Sequence, residues 1–262
     1  MDMFAESIFE GNHHVYDLPP DLVLFGRSRA MQEVKRRLVR ICNSTVPVLL
    51  QGEVGVGKSV LSRFIHQHSG NGSGPYVQLN CAGLPGITAY VNPFAYISSR
   101  ASEAASEEQP EAAALRSGTM YLDQVDELPP AHQQLLAESL GEWEDQRLLT
   151  PDLRHQQAHI ISASTCDLHQ RVRQGRFRQD LYDRLAVVTI DVPPLRCRIE
   201  DLPELCEYLA KYFAQHCGVD DRPFPPELLT RMHSYAWPGN MRELQNFVCR
   251  YVVLGTAECA AS

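Results

Sequence analysis

The chain has 262 residues, 44% hydrophobic and 21% charged. Those proportions suit a folded core and exclude a disordered, collagen-like or coiled-coil chain, and the length fits one large domain or two modest ones. The net charge of −8, from 24 Lys+Arg against 32 Asp+Glu, disfavours a domain devoted to gripping a phosphate backbone.

In chain order, residues 1–22 are polar and mixed and predict an irregular arm. Met31, Val34, Leu38 and Ile41 recur at helical spacing and predict an amphipathic helix over Ser28–Cys42. Val46–Leu50 is a short apolar run between turn residues, hence a buried strand. Tyr76–Leu79, Thr119–Leu122, Ala158–Ala163 and Val187–Val192 are further strand candidates, separated by helical stretches such as Ser59–His68 and Ala131–Trp143. Strands alternating with helices predict an α/β fold with a parallel sheet flanked by helices. Ser98–Ser117 is Ala/Ser/Glu-rich and predicts an exposed loop or loose helix. From about Leu195 the strands stop; Glu200–Cys217, Pro226–Ala236 and Asn240–Leu254 predict a small all-helical domain. The expected division is an arm at 1–22, an α/β nucleotide-binding domain at 23–194 and a helical lid at 195–262.

No run of some 18 apolar residues occurs, which argues against a transmembrane helix and a membrane partner. The start MDMFAESIFEGNHH lacks the apolar stretch of a secretory signal. A cytoplasmic location follows as the expectation. The eight cysteines stand singly, so reduced and mostly buried thiols are expected. His155 and His159 are spaced like two ligands on one helical face, but no adjacent carboxylate or thiolate completes a metal set.

The strongest local signal is Gly52-Glu53-Val54-Gly55-Val56-Gly57-Lys58-Ser59, which follows a predicted strand and opens a predicted helix. It matches the G-x-x-x-x-G-K-[ST] phosphate loop in the context that motif requires. Glycines let backbone N–H groups curl round phosphates, Lys58 reaches the terminal phosphates, and the Ser59 hydroxyl can ligate Mg²⁺. Lys58 is one of only three lysines, with Lys35 and Lys211. A second metal-holding group is expected at the end of a neighbouring strand, and Met120-Tyr121-Leu122-Asp123 provides one. ATP with Mg²⁺ is the cofactor pair this predicts.

The runs GEVGVGKS, VQLNCAGLP, SGTMYLDQVDELP, GRFRQDLYDRLAVV, VPPLRCRIEDLPEL and YAWPGNMRELQNFV together resemble the AAA+ domain of sigma-54-dependent transcriptional activators (bacterial enhancer-binding proteins). The resemblance runs in family order from about Leu24 to Leu254. It implies an AAA+ P-loop NTPase fold, with Gly52–Ser59 as Walker A and Asp123 as the Walker B metal aspartate. It further implies Asn80 as the switch asparagine, Thr165 at the first sensor position, Arg178 and Arg184 as arginine fingers reaching a neighbouring subunit, and Arg242 as the lid-domain sensor. A guanidinium fork completing the site from a neighbour would make hydrolysis depend on assembly into a ring, a hexamer by resemblance. The basic run Arg171, Arg173, Arg176, Arg178 and Arg184 reads as a solvated helix face, a nucleic-acid patch or a subunit interface. The resemblance favours the interface for Arg178 and Arg184 and leaves the others as surface, and Asp180 and Asp183 also argue against a pure phosphate-gripping patch.

Two departures qualify this. The family's Walker B ends Asp-Glu, whereas here Asp123 is followed by Gln124. A carboxamide cannot accept the proton of an attacking water, and losing such a group removes about 10²–10⁴-fold of rate. Asp126 or Glu127 could stand in. The family's GAFTGA loop is also replaced, its tip reading Ser98-Ser99-Arg100-Ala101-Ser102-Glu103-Ala104, so contact with sigma-54 RNA polymerase is expected to be impaired. No helix-turn-helix follows the lid segment, so DNA binding is not expected of this chain. Three functions remain open: an ATP-binding regulator with impaired or lost hydrolysis, an active remodelling ATPase, and a non-enzymatic interaction module with a structural nucleotide.

Overall fold

The computed structural model describes residues 18–70, 72, 74–82, 118–149, 158–220 and 222–255, side chains 143 and 145–149 excepted. The loop expected at Ser98–Ser117, with its tip, and His155 lie outside them. The described residues form two compact units. One gathers Arg37–Gly52 and Leu61–Asp191; the other joins Glu53–Val60 to the residues from Val192 onward and to the segment before Arg37.

The first unit is built on a five-stranded sheet ordered β2-β3-β4-β1-β5. Its strands are β1 (Val48–Gln51), β2 (Tyr76–Asn80), β3 (Gly118–Asp123), β4 (Ala158–Ser164) and β5 (Val188–Asp191), and every pairing is parallel. Parallel strands are covered on both faces and therefore read as continuous apolar runs rather than alternations. Val48, Leu49 and Leu50 accordingly are all buried. The expected strands are all present, with ends shifted by a residue or two.

On this sheet lie α4 (Pro130–Leu149), α5 (Leu168–Arg173) and α6 (Gln179–Leu185). Leu136 and Leu140 of α4 and Leu181 and Leu185 of α6 pack with Leu49, Met120, Leu122 and Ile160 of the strands. The helix expected at Ala131–Trp143 runs on to Leu149.

The central strand β4 is buried at every position yet carries His159, Ser162 and Ser164. Buried polar groups are tolerated when hydrogen-bonded. His159 Nε2 pairs with the Val46 carbonyl at 2.9 Å, Ser162 Oγ donates to the Val48 carbonyl at 3.3 Å, and Ser164 Oγ to the Cys166 carbonyl at 2.7 Å. This corrects the reading of His155 and His159 as a helical-face pair: His159 sits in a strand, wholly buried and occupied by backbone. Among the described residues no group of three or more His, Cys, Asp or Glu could hold a metal ion, and no helix is long and apolar enough to cross a membrane.

His66 is buried too, its Nδ1 within 2.9 Å of the Thr119 hydroxyl. Burial lowers the pKa of His66 and of His159. Both stay neutral in the fold while the unfolded chain takes up protons near pH 6.5. Their contribution to stability is therefore complete above about pH 6.5 and is lost as pH falls toward their folded values. Melting temperature should drop between pH 7.5 and 5.5, and the His66→Gln/His159→Gln double substitution should flatten that slope.

The second unit contains α1 (Asp21–Phe25), the helices α7 (Leu202–Cys217), α8 (Pro226–Ser234) and α9 (Asn240–Leu254), and the start of α3 (Lys58–His68). Helix α2 (Arg29–Ile41) begins here as well. Apolar residues at helical spacing bring Leu205, Leu209 and Phe213 of α7 against Leu244, Val248 and Tyr251 of α9, with Trp237 and Met232 closing the cluster. Gly218 ends α7 in the left-handed conformation at φ 65°, the usual device for a helix C-terminus.

The segment before α2 is tied to this unit by one buried carboxylate. Asp201, 1% exposed, accepts from the N–H groups of Arg27 at 2.6 Å and Ser28 at 2.8 Å, and from the Ser28 hydroxyl at 2.6 Å. Gly26 makes the approach possible: at φ +56°, a Cβ there would lie 2.1 Å from Asp201 Cγ.

Candidate functional site

The carboxyl ends of the strands define one edge of the sheet. Gln51 is level with Ser164, Leu122 with Ser162, and Asn80 with Asp123. In open α/β sheets this is the edge where ligands bind. Asn80, Asp123, Gln124 and Thr165 therefore gather at one edge, and Gly52, which begins the phosphate-loop motif, leaves β1 there.

Asp123 is oriented by two donors on one oxygen. The Tyr121 hydroxyl reaches Oδ1 at 3.1 Å and the Gln124 N–H at 3.0 Å, which fixes the rotation of the carboxylate. Tyr121 lies two residues back on the same strand face and is completely buried. Gln124 adopts a left-handed conformation at φ 55° and leads into a short turn, Val125–Glu127. Across the β2–β3 ladder, Asn80 Oδ1 accepts the Ala82 N–H at 2.9 Å.

Thr165 is held by a residue whose role the sequence leaves open. Asp126, 3% exposed, accepts the Thr165 N–H at 3.0 Å and the Thr165 hydroxyl at 2.5 Å. The Cys166 thiol adds a contact at 3.6 Å, and Arg171 donates to the Asp126 carbonyl at 3.2 Å. Glu127 faces Arg171 at 3.8 Å. Asp126 thus already serves as acceptor for Thr165.

The two arginines of the FRQDLYDR run stand at opposite ends of α6, about 9 Å apart along its axis. Arg178 is held by both Asp180 oxygens at 2.9 and 2.7 Å, and its N–H donates to Gln133 Oε1 at 2.9 Å. The Arg178 guanidinium holds the Asp180 carboxyl below its ordinary range. Arg184 pairs with Glu144 of α4, and its guanidinium lies against Gly141, where an added Cβ would meet it at 3.1 Å.

In the other unit the loop Glu53–Gly57 runs into α3. Gly55 and Gly57 have φ +78° and +102°, conformations that glycine adopts without a side-chain clash. A Cβ on Gly57 would meet no described atom within 4 Å, whereas one on Gly55 would strike the Gly239 carbonyl at 2.3 Å and approach Arg242 Cβ to 3.2 Å. The loop is therefore backed at Gly55 and, among the described residues, has room at Gly57. Lys58 is only 7% exposed, and its Nζ donates to the Glu53 carbonyl at 2.9 Å; Ser59 is half-buried in the first turn of α3. Room beside Gly57, the lysine and a helix N-terminus fit a polyphosphate.

Residues from the helical segment grip the backed side. Both Glu53 oxygens accept from Arg196, at 2.8 and 2.5 Å. Asn240 Nδ2 donates to Glu53 Oε2 at 3.1 Å and to the Val54 carbonyl at 3.0 Å. The Met241 N–H donates to the Gly55 carbonyl at 2.9 Å, and Arg198 to the Val56 carbonyl at 3.2 Å. Arg196 first, and Asn240 second, hold the Glu53 carboxyl down to about 2. Burial pulls the Arg198 guanidinium down to about 10, opposed by the charge of Asp201, so it remains a cation at neutral pH. Asn240, Arg196 and Arg198 are not among the residues that the sequence singles out, although all three lie in runs that carry the resemblance.

Comparison with known proteins agrees with this architecture. Residues 24–191 match the sigma-54 interaction domain and residues 196–261 the AAA+ ATPase lid domain. The transcriptional regulatory protein ZraR of Klebsiella oxytoca is 36% identical over 235 residues, covering 90% of this chain and 53% of that protein. The DNA-binding transcriptional regulator NtrC of Proteus hauseri is 34% identical, covering 89% and 49%. The chain thus spans about half the length of these relatives. The crystal structure of NtrX from Brucella abortus in complex with ADP superposes with a TM-score of 0.73 at 27% identity, over 91% of this chain and 55% of that one. NtrX has also been crystallised in complex with ATP. With a parallel sheet flanked by helices and a helical C-terminal segment, the chain belongs to the sigma-54 interaction domain family, the AAA+ P-loop NTPase domain of sigma-54-dependent transcriptional activators.

Proposed function

We propose that this chain is the ATP-binding module of a transcription regulator, in which nucleotide is held but hydrolysis and sigma-54 contact are impaired. The observation that carries the binding half is the glycine-shaped loop Gly52–Ser59, open beside Gly57 and leading from a strand end into α3. Its open side suits phosphate oxygens; Lys58 would neutralise the terminal phosphates, and Ser59 and Asp123 would hold Mg²⁺. Arg242 would report on the nucleotide from the helical segment, and Asn80 and Thr165 from the sheet edge. Nucleotide binding by NtrX, as ADP and ATP complexes, supports the assignment.

The impaired half rests on Gln124. A bound Mg²⁺ would supply charge neutralisation on the phosphates, but a carboxamide at the residue after Asp123 cannot take a proton from water. Nearby carboxylates offer poor replacements, because Asp126 is buried as the acceptor for Thr165 and Glu127 faces Arg171. Arg178 and Arg184 would act on a neighbouring subunit in a ring of identical chains. Arg184 would have to leave Glu144 to do so, whereas Arg178 would release only the Asp180 carboxylate beside it. Contact with sigma-54 polymerase is expected to be weak, since the loop tip lacks the family's aromatic and threonine.

Calorimetric titration of the purified chain with ATP and Mg²⁺ tests the proposal. Saturable binding is expected, weakened at least about tenfold by Lys58→Met as one charge-assisted phosphate contact is lost. Titration showing no binding by the unsubstituted chain would overturn the reading.

A further inference from the structure

We infer that Asn240 is a positioning residue for the phosphate loop: through Glu53 and the Val54 carbonyl it sets the loop's shape and passes loop occupancy to the helical segment. The inference rests on the ATP-binding reading only for its second half, since the shaping of the loop is a property of the chain alone. Asn240 is fully buried and stands at φ +53°, directly after Gly239 at the start of α9. Besides a long contact from Nδ2 to the Pro238 carbonyl at 3.5 Å, its amide has three neighbours, which together fix its orientation. The Leu195 N–H needs an acceptor and finds Oδ1 at 2.8 Å. Glu53 and the Val54 carbonyl need donors and find Nδ2 at 3.1 and 3.0 Å. One amide therefore ties the phosphate loop to the stretch that begins the helical segment.

Other bonds converge on the same strip of loop. Met241 N–H on the Gly55 carbonyl and Arg198 on the Val56 carbonyl continue the series begun by Asn240 on Val54. Three consecutive loop carbonyls are thus engaged from the helical segment. With its carbonyls drawn to that side, the loop's peptide dipoles are orientated, and any displacement of the loop by an incoming phosphate must be felt at residues 195–198 and 240–241. Arg196, locked on Glu53, is the exposed end of the same device.

The test separates side-chain chemistry from backbone strain. Asn240→Gly removes the amide while easing the left-handed backbone; Asn240→Asp keeps the shape but sets a second anion against Glu53. Hydrogen exchange without nucleotide is measured first. Amides of Gly55–Ser59 are expected to exchange at least about tenfold faster in Asn240→Gly, as two hydrogen bonds to the loop are lost. Unchanged exchange overturns the inference whether or not ATP binds. ATP titration follows. In the unsubstituted chain ATP should slow exchange at residues 195–200 and 240–244; in Asn240→Gly affinity should fall about tenfold or more and that response should vanish. A response retained in Asn240→Gly at saturating ATP overturns the coupling, whereas absence of ATP binding by the unsubstituted chain defeats the functional reading instead. Should Asn240→Gly fail to fold, Asn240→Asp replaces it, since it too removes the Nδ2 donor to Glu53 and the Val54 carbonyl; faster exchange at Gly55–Ser59 is expected, and unchanged exchange overturns the inference.

Discussion

Replacing Gln124 by Glu should raise ATP turnover at least about 10²-fold over the unsubstituted chain, the lower end of what general-base groups contribute. The factor corresponds to roughly 2.7 kcal/mol of barrier. The side chain changes by one atom, so size and backbone demands are nearly unaltered. Position is favourable as well. Gln124 follows Asp123 at the carboxyl edge of the sheet, and its N–H already braces the Asp123 carboxylate. What the amide lacks is a basic oxygen. Phosphate release should be followed over a range of protein concentrations, because arginines supplied by a neighbour would matter only where chains assemble. Adding Asp126→Asn to the Gln124→Glu chain separates the two carboxylates: it should disturb the hold on Thr165 while leaving turnover by the doubly substituted chain well above the unsubstituted level. Equal turnover before and after Gln124→Glu would show that some other group supplies the base.

Asp201→Ala should destabilise the helical unit by about 3 kcal/mol or more. The part-buried Arg27 N–H and the buried Ser28 N–H and hydroxyl lose their acceptor together. Each orphaned donor costs about 1–3 kcal/mol. Arg198 loses the anion that opposes the effect of its burial, and an unbalanced buried charge adds to the loss. Asp201→Asn should fall between, since one acceptor oxygen survives while an NH₂ group faces the remaining donors. Denaturant unfolding reads the stability, and hydrogen exchange at Arg27 and Ser28 locates it. A loss below about 1 kcal/mol in Asp201→Ala would mean that water or another group replaces the carboxylate.

Elements that carry a local pattern are legible in the amino-acid order alone. The strand-loop-helix around Lys58 is readable because its geometry is encoded within a dozen consecutive residues, and the buried strands because parallel sheets demand apolar runs. The helical segment is readable because Leu205, Leu209 and Phe213 recur at the helical period. The spacing of His155 and His159 misleads, because four residues mark one helical face only where the backbone is helical. At His159 the backbone is a strand, and its polar side chain is satisfied by a neighbouring carbonyl.

Asn240 and Glu53 meet across 187 residues of chain, and Arg196 and Glu53 across 143. No periodicity spans such distances, so neither contact follows from spacing. Asp126 is visible in the sequence as a carboxylate near Asp123, yet only the packed sheet edge shows it bound to Thr165.

The amino-acid order alone therefore determined that a phosphate-loop motif and a strand-end Asp123 followed by Gln124 occur together in an AAA+ frame. Those are properties of neighbouring residues and of their succession. Folding decided which groups hold that loop in shape, which carboxylate is already engaged, and that Arg184 pairs with Glu144 from a distant helix while Arg178 pairs with Asp180 beside it. These depend on segments far apart in the chain being brought together by packing, so that donors such as the Asn240 amide and the Ser28 N–H meet acceptors that no local pattern supplies.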